Sequence, residues 1–156
     1  MAINQAMCTS FKIALLNGEM DFSSDTTQTF KIALYTSAAD LGADTETYSA
    51  TNEVSGTGYD ATGKEIVVST APTDGGSGTT AYLSFKGVGE STDVVTWQDA
   101  TITARGALIY KVGGTNPAVA VLNFVNDKTS TAGDFQVQFP TADATNAIVR
   151  IATPTT

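Results

Sequence analysis

Histidine is absent from this 156-residue chain. That removes the commonest general base, the commonest metal ligand, and every Ser-His or Cys-His nucleophile pair. Cys8 is the single cysteine. No internal disulfide can form, and with one Cys and no His a structural zinc site is excluded. A small, buried apolar residue is the expected role for Cys8. Charge is also scarce. Only 15% of residues are charged, and eight Lys and Arg face sixteen Asp and Glu, for a net charge of −8 and a pI near 4.2. The cations are scattered rather than gathered in a stripe, which argues against direct nucleic-acid binding. No run approaches the ~20 apolar residues of a membrane-spanning helix, so no membrane partner is expected. The start has no basic-then-apolar leader pattern, and position 2 is Ala rather than a myristoylated Gly. Synthesis and folding in a cytoplasm are therefore expected.

What replaces the charge is Thr, Ser, Ala, Asn and Gly beside 42% hydrophobic residues. Such a composition suits strands, and suits a surface that meets other protein. The centre of the pattern is Ile102–Pro140. Apolar runs at Gly106–Val112, Ala118–Val125 and Phe135–Phe139 are separated by Gly113-Gly114-Thr115-Asn116 and by the polar stretch Asn126–Gly133. The first separator is a hairpin signal and the second reads as a loop, so a three-stranded meander is predicted.

Upstream, Gln5–Leu16 follows the helical period, with Asn4 as its cap and Asn17-Gly18 as its stop. A helix this short is marginal alone and must pack on something. It either covers one end of the fold or serves as an arm docking on a neighbouring subunit. Glu19–Thr27 reads as a polar connection. Thr29–Thr36 alternates cleanly, with Phe30, Ile32 and Leu34 on one face and Lys31, Ala33 and Tyr35 on the other. Ser37–Gly58 is a loop longer than compact domains usually carry, a natural place for binding contacts. Strands follow at Glu65–Ser69 and Thr80–Phe85, with the Gly-rich turn Ala71–Thr79 between them. Val94–Thr103 is one bent strand or two short ones, and Ala147–Ala152 closes the chain. About eight strands at regular spacing specify an all-β, antiparallel β-sandwich or jelly-roll-like fold with one short N-terminal helix. Residues 1–156 read as one such domain, with residues 1–18 as the N-terminal helix or arm.

Chemical motifs are few. Gly58-Tyr59-Asp60-Ala61-Thr62-Gly63-Lys64 fits the phosphate-loop pattern, but Glu65 stands where a Mg²⁺-binding hydroxyl is needed, and a strand follows instead of a helix. We read it as a chance match. Asp40, Asp44 and Glu46 form an acidic loop without EF-hand spacing, better read as solvated than as a calcium site. Carboxylate pairs for glycoside hydrolysis are available in principle. The single Trp and the dispersed Tyr do not outline a sugar cleft. Trp97 lies among Val94, Val95 and Ile102, as a core residue or an interface anchor. Arg105 and Arg150 either pair with nearby acids such as Asp99 or Asp134, or contact a partner's carboxylate. No catalytic, cofactor or metal-binding residue is assigned. The interface candidates are Phe11, Leu15, Leu16, Tyr48, Trp97, Arg105 and Lys128.

Several stretches together resemble known proteins: AMCTSFK (Ala6–Lys12), LLNG (Leu15–Gly18), TFKIALYTS (Thr29–Ser37), VSGTGY (Val54–Tyr59), ARGALIYK (Ala104–Lys111), AVAVLNF with the later DK (Ala118–Phe124, Asp127–Lys128), DFQVQFP (Asp134–Pro140) and AIVRI (Ala147–Ile151). The chain is similar over most of its length to a group of small virion proteins of tailed bacteriophages, including cyanobacterial phages. The resemblance implies a non-enzymatic structural protein, foremost a capsid cement (decoration) protein on the outside of the capsid. Its expected partners are the major capsid protein and further copies of itself, as a dimer or trimer. A tail or head–tail connector protein is the alternative within that class. A carbohydrate-binding module or hydrolase on a jelly-roll fold is the alternative outside it.

Overall fold

A computed structural model describes residues 2–76 and 78–154. Ser77, within the expected Ala71–Thr79 turn, lies outside the described residues, as do Met1 and the last two residues. The elements are β1 (Ala6–Met7), α1 (Thr9–Leu16), β2 (Phe30–Tyr35), β3 (Lys64–Thr73), β4 (Thr80–Gly87), β5 (Val94–Lys111), β6 (Ala118–Gln138) and β7 (Val149–Ala152). The strands form one antiparallel sheet, ordered β1-β6-β5-β2-β3-β4-β7, that rolls nearly into a barrel with α1 as the one helix. The all-β expectation with one short helix is met, with seven strands.

The strand count differs because the meander is a two-stranded hairpin. β5 runs unbroken through Val94–Lys111, and β6 runs unbroken through Ala118–Gln138. Asn126–Gly133, read as a loop, is therefore strand. Its residues pair with β5, Lys128 opposite Ala104 and Gly133 opposite Ala100. The ladder absorbs the poor strand formers by register shifts between Ala104 and Gly106, between Ala100 and Ile102, and between Trp97 and Ala100. At the first of these, β6 advances from Asn123 to Lys128 while β5 advances two residues. Phe124–Asp127 thus bulges from the ladder. Val125 sits at φ 69, a backbone conformation that a β-branched side chain strongly disfavours. Polarity misled because both faces of this stretch are open to solvent, at residues 126–129, 131 and 132, whereas Phe135 and Val137 further along the same strand are buried.

The helix begins later than its periodicity suggests. Ala6 and Met7 pair with Val121 and Ala120 of β6, and the Cys8 N–H donates to the Val119 carbonyl. Sheet pairing takes residues that propensity would give to a helix, and the cap position is Cys8 rather than Asn4.

The core fills the roll. Phe22 stacks on Phe30 with centroids 4.9 Å apart and meets Phe11 and Phe85 edge-on. Glu19–Thr27 is therefore not merely polar, since Met20 and Phe22 are buried. β2 departs from simple alternation too. Ala33 and Tyr35, on its second face, are as buried as Ile32 and Leu34. The loop over 37–58 lies on that face as a second layer. It is pinned by bridges of Glu53 to Tyr35, Thr47 to Pro117 and Thr57 to Thr101. Beyond Ile66, β3 pairs only with β4, which leaves a free backbone edge where Pro72 costs no ladder bond.

Candidate interaction surfaces

The long loop is anchored by a tyrosine–carboxylate network. Tyr59 Oη donates to Glu53 Oε1 at 2.7 Å and accepts the Leu34 N–H at 2.9 Å. Tyr48 Oη donates to Glu53 Oε2. Tyr35 Oη donates to the Ser49 carbonyl at 2.6 Å. Tyr48 also stacks on Tyr110 at 4.6 Å, and the Tyr110 hydroxyl donates to the Thr62 carbonyl. Desolvation by burial is the first cause that raises the hydroxyl pKa of Tyr35, Tyr48, Tyr59 and Tyr110, and the Glu53 charge adds to each. The arrangement buckles the loop onto the sheet and leaves the hydroxyls committed to internal partners.

A pH dependence follows from these shifts. A raised folded-state pKa contributes stability that is fully present below the unfolded tyrosine value of about 10 and fades as pH rises above it. The urea midpoint should hold steady to about pH 9 and then fall steeply through about pH 11. Tyr59→Phe should lower the midpoint at neutral pH, because Glu53 loses a donor, and should flatten the alkaline fall. A midpoint flat across that alkaline window would refute the network's role.

The second surface is the outward half of β6. Arg105 Nε donates to Asp127 Oδ1 at 2.7 Å, tying β5 to the bulge. The pairing acid is thus neither Asp99 nor Asp134, as the sequence had suggested. The Asn123 side chain accepts the Val125 N–H at 2.7 Å, which closes the turn. Val125 projects into solvent, and Lys128 is exposed beside it. Phe124, Lys128, Asp134 and Phe135 border a shallow groove along the strand.

The third surface lies where the two ends of the sheet approach each other. Met7 of β1, Lys12, Leu15 and Leu16 of α1, and Arg150, Ile151 and Ala152 of β7 line a groove of about 500 Å³. Helix geometry explains its lining. Cys8, Phe11 and Ala14 share the face turned inward, at spacings of three residues, and all are buried. Ile13 and Leu16 fall on the opposite side and are exposed.

The expected interface residues thus separate. Leu16 and Lys128 lie at the surface, Leu15 lines the groove half-buried, and Arg105 and Tyr48 are partly buried in internal bonds. Phe11 and Trp97 are corrected: both are fully enclosed and present nothing to a partner. Trp97 packs on Tyr59 and Phe135. Ile13, Val125 and Ile151 were missed. The helical period read strictly would have found Ile13, whereas nothing in the sequence marks the bulge that exposes Val125. Arg150 donates to the Ala144 carbonyl at 3.2 Å and is exposed.

The phosphate-loop look-alike has a structural explanation. Gly63 (φ +77) and Gly58 (φ +75) each lie where a Cβ would strike neighbouring backbone, that of Ile32 and Ala33 for Gly63 and of Gln98 to Ala100 for Gly58. The glycines let strands approach, and β3 follows directly. Among the described residues, no three acidic or cysteine side chains converge closely enough to hold a metal ion. Burial pushes the Cys8 thiol up to about 11, so little reactive thiolate exists near neutral pH. No helix among the described residues is long and apolar enough to cross a membrane. Comparison with protein-family models, with curated proteins and with solved structures finds no match.

Proposed function

We propose that the chain is a structural virion protein of a tailed phage, acting as a capsid cement protein that binds the outside of the major capsid lattice and catalyses no reaction. The observation that carries the reading is where its apolar surface lies. Leu16 and Ile151 line the groove at the seam of the rolled sheet, Ile13 is exposed elsewhere on α1, and Val125 is held outward on a strained bulge. Strain of this kind persists only where surrounding structure over-determines it, and it gathers at sites that work. Most of the stretches that carry the resemblance to phage virion proteins fall on α1, β2, β5, β6 and β7, the framework presenting these surfaces.

Cement proteins act by interface area repeated over many copies. Roughly 1,000 Å² or more of well-packed contact per site resists lattice opening. The acidic surface, at net −8, would also discourage adhesion to polyanions. Mixing the purified protein with undecorated, expanded capsids tests the reading. Saturable binding with a raised denaturant threshold for capsid disassembly is the expected outcome. Absence of binding, or density located at the tail or neck in virion images, would overturn the cement role.

A further inference from the structure

The stop of α1 joins two residues that can react with each other. Asn17-Gly18 is the single Asn-Gly step in the chain. Both residues are exposed, as are Leu16 before them and Glu19 after them. The fold closes the pair into a Schellman cap. The Gly18 N–H donates to the Leu15 carbonyl at 3.2 Å and the Glu19 N–H to the Ala14 carbonyl at 2.9 Å, with Gly18 left-handed at φ +72. Asn17 itself lies at φ −80, ψ −5. At that ψ the Gly18 nitrogen eclipses the Asn17 backbone nitrogen and is turned away from the Asn17 side chain. Asn17 Nδ2 meanwhile donates to Glu19 Oε1 at 3.4 Å. Beyond the cap, the Glu19 carbonyl accepts from Lys111 Nζ at 2.9 Å and from Gln28 Nε2 at 3.1 Å, and Gln28 Oε1 accepts the Asp21 N–H at 3.0 Å.

We propose that Asn17 is a self-modification site, deamidated by the Gly18 nitrogen through a succinimide, and that the cap of α1 is its gate. Hydroxide takes the Gly18 amide proton. The nitrogen then attacks Asn17 Cγ, the Cγ–Nδ2 bond breaks, and Nδ2 leaves as ammonia after gaining a proton. Water adds to either carbonyl of the ring and that carbonyl's bond to the ring nitrogen opens, giving Asp or isoAsp at position 17. Glycine suits the attacking position, because no Cβ crowds its nitrogen and its backbone turns freely. The closed cap forbids the attack in two ways. It engages the Gly18 N–H in a bond, and it holds the nitrogen away from Cγ. Reaction therefore requires local opening of the last turn. The product does not restore the cap. Either form places a carboxylate at the negative end of the helix, beside Glu19, where its charge is disfavoured. The isoAsp form also lengthens the backbone by a methylene, which upsets the spacing of the two cap bonds. A reacted chain thus carries a looser final turn beneath Leu16. This chemistry stands apart from the capsid reading.

The test incubates the intact protein, folded or unfolded in urea, at one mildly alkaline pH and temperature, and then maps its peptides. Trypsin releases residues 13–31 as one peptide. Deamidation there registers as a mass gain, and isoAsp as a substrate for isoaspartyl methyltransferase. Position 17 should react in both states, and roughly tenfold or more slowly in the folded one, because only the open fraction reacts. Gln28→Ala cuts the tethers to Glu19 and Asp21, and leaves Asn17 as the one amide side chain in that peptide. With Trp97 emission unchanged, it should speed the folded-state reaction severalfold. Asn17→Gln should abolish the reaction at position 17. An unfolded chain that keeps Asn17 intact would overturn the site. Equal rates in the folded and unfolded chains, or a folded Gln28→Ala protein reacting no faster than the parent, would overturn the gate.

Discussion

Gly63→Ala should unfold much of the protein's margin of stability with one methyl group. The added Cβ would lie 2.0 Å from the Ile32 carbonyl oxygen and 2.7 Å from the Ala33 Cα. Both obstacles are backbone of β2, the strand that joins the two halves of the sheet, and Ile32 is paired there with Lys64 and Ile109. No side chain can rotate away, so β2 and β3 must separate. The backbone at φ +77 adds the ordinary left-handed penalty. Together the left-handed penalty and overpacking give about 2–5 kcal/mol. Gly114→Ala isolates the first part, because its φ is +61 with open space around the new methyl. It should cost only about 1–2 kcal/mol. Urea midpoints of the two variants should therefore differ clearly, and equal midpoints would show that the contact with Ile32 does not matter.

Trp97→Ala should be about as damaging. The indole is fully enclosed between Tyr59, 6.0 Å away, and Phe135, 6.2 Å away and edge-on. Truncation leaves a cavity between the long hairpin and the loop layer, and such losses run to about 3–5 kcal/mol. Trp97→Phe should be much milder. Indole Nε1 is buried without a hydrogen-bond partner. A phenyl ring keeps most of the apolar contact and removes that orphaned donor, whose burial costs roughly 1–3 kcal/mol. Because Trp97 is the only tryptophan, its emission in the parent should be blue-shifted and shielded from iodide. A Trp97→Ala protein within about 1 kcal/mol of the parent would refute the enclosed position.

The legible part of this fold was the part built from local pattern. β2 announced itself by alternation, the β5–β6 turn by Gly113–Asn116, and the helix stop by Asn17-Gly18. What stayed hidden was long-range. Leu41, Tyr48 and Val54 occur singly among polar residues, so nothing local says that they roof the second face of β2. Asn126–Gly133 has a loop's composition because both faces of the stretch are open to solvent, and its ladder is supplied by residues far away in sequence. Ala6–Met7 fit a helix and were taken by β6 instead. The candidate interaction surface divides the same way. Leu16 was visible, while Ile151 joined it only because the roll brings β7 beside α1. Phe11 and Trp97 are aromatic anchors of the interior, not of a surface.

The pairing of β1 with β6 also sets a clock. Met7 meets Ala120, so the amino-terminal strand has no partner until 113 further residues have been made. At about 5–20 residues per second on a ribosome, that wait is about 6–23 seconds. Throughout it, Cys8, Phe11 and Ala14, buried in the finished fold, have no sheet to dock on. Closure of the roll must then form its most distant contacts last, a topology that folds on the millisecond-to-second scale rather than faster. The nascent chain therefore carries an exposed, sticky amino terminus for nearly its whole synthesis, and its yield in a cell depends on what shields that segment before β6 arrives.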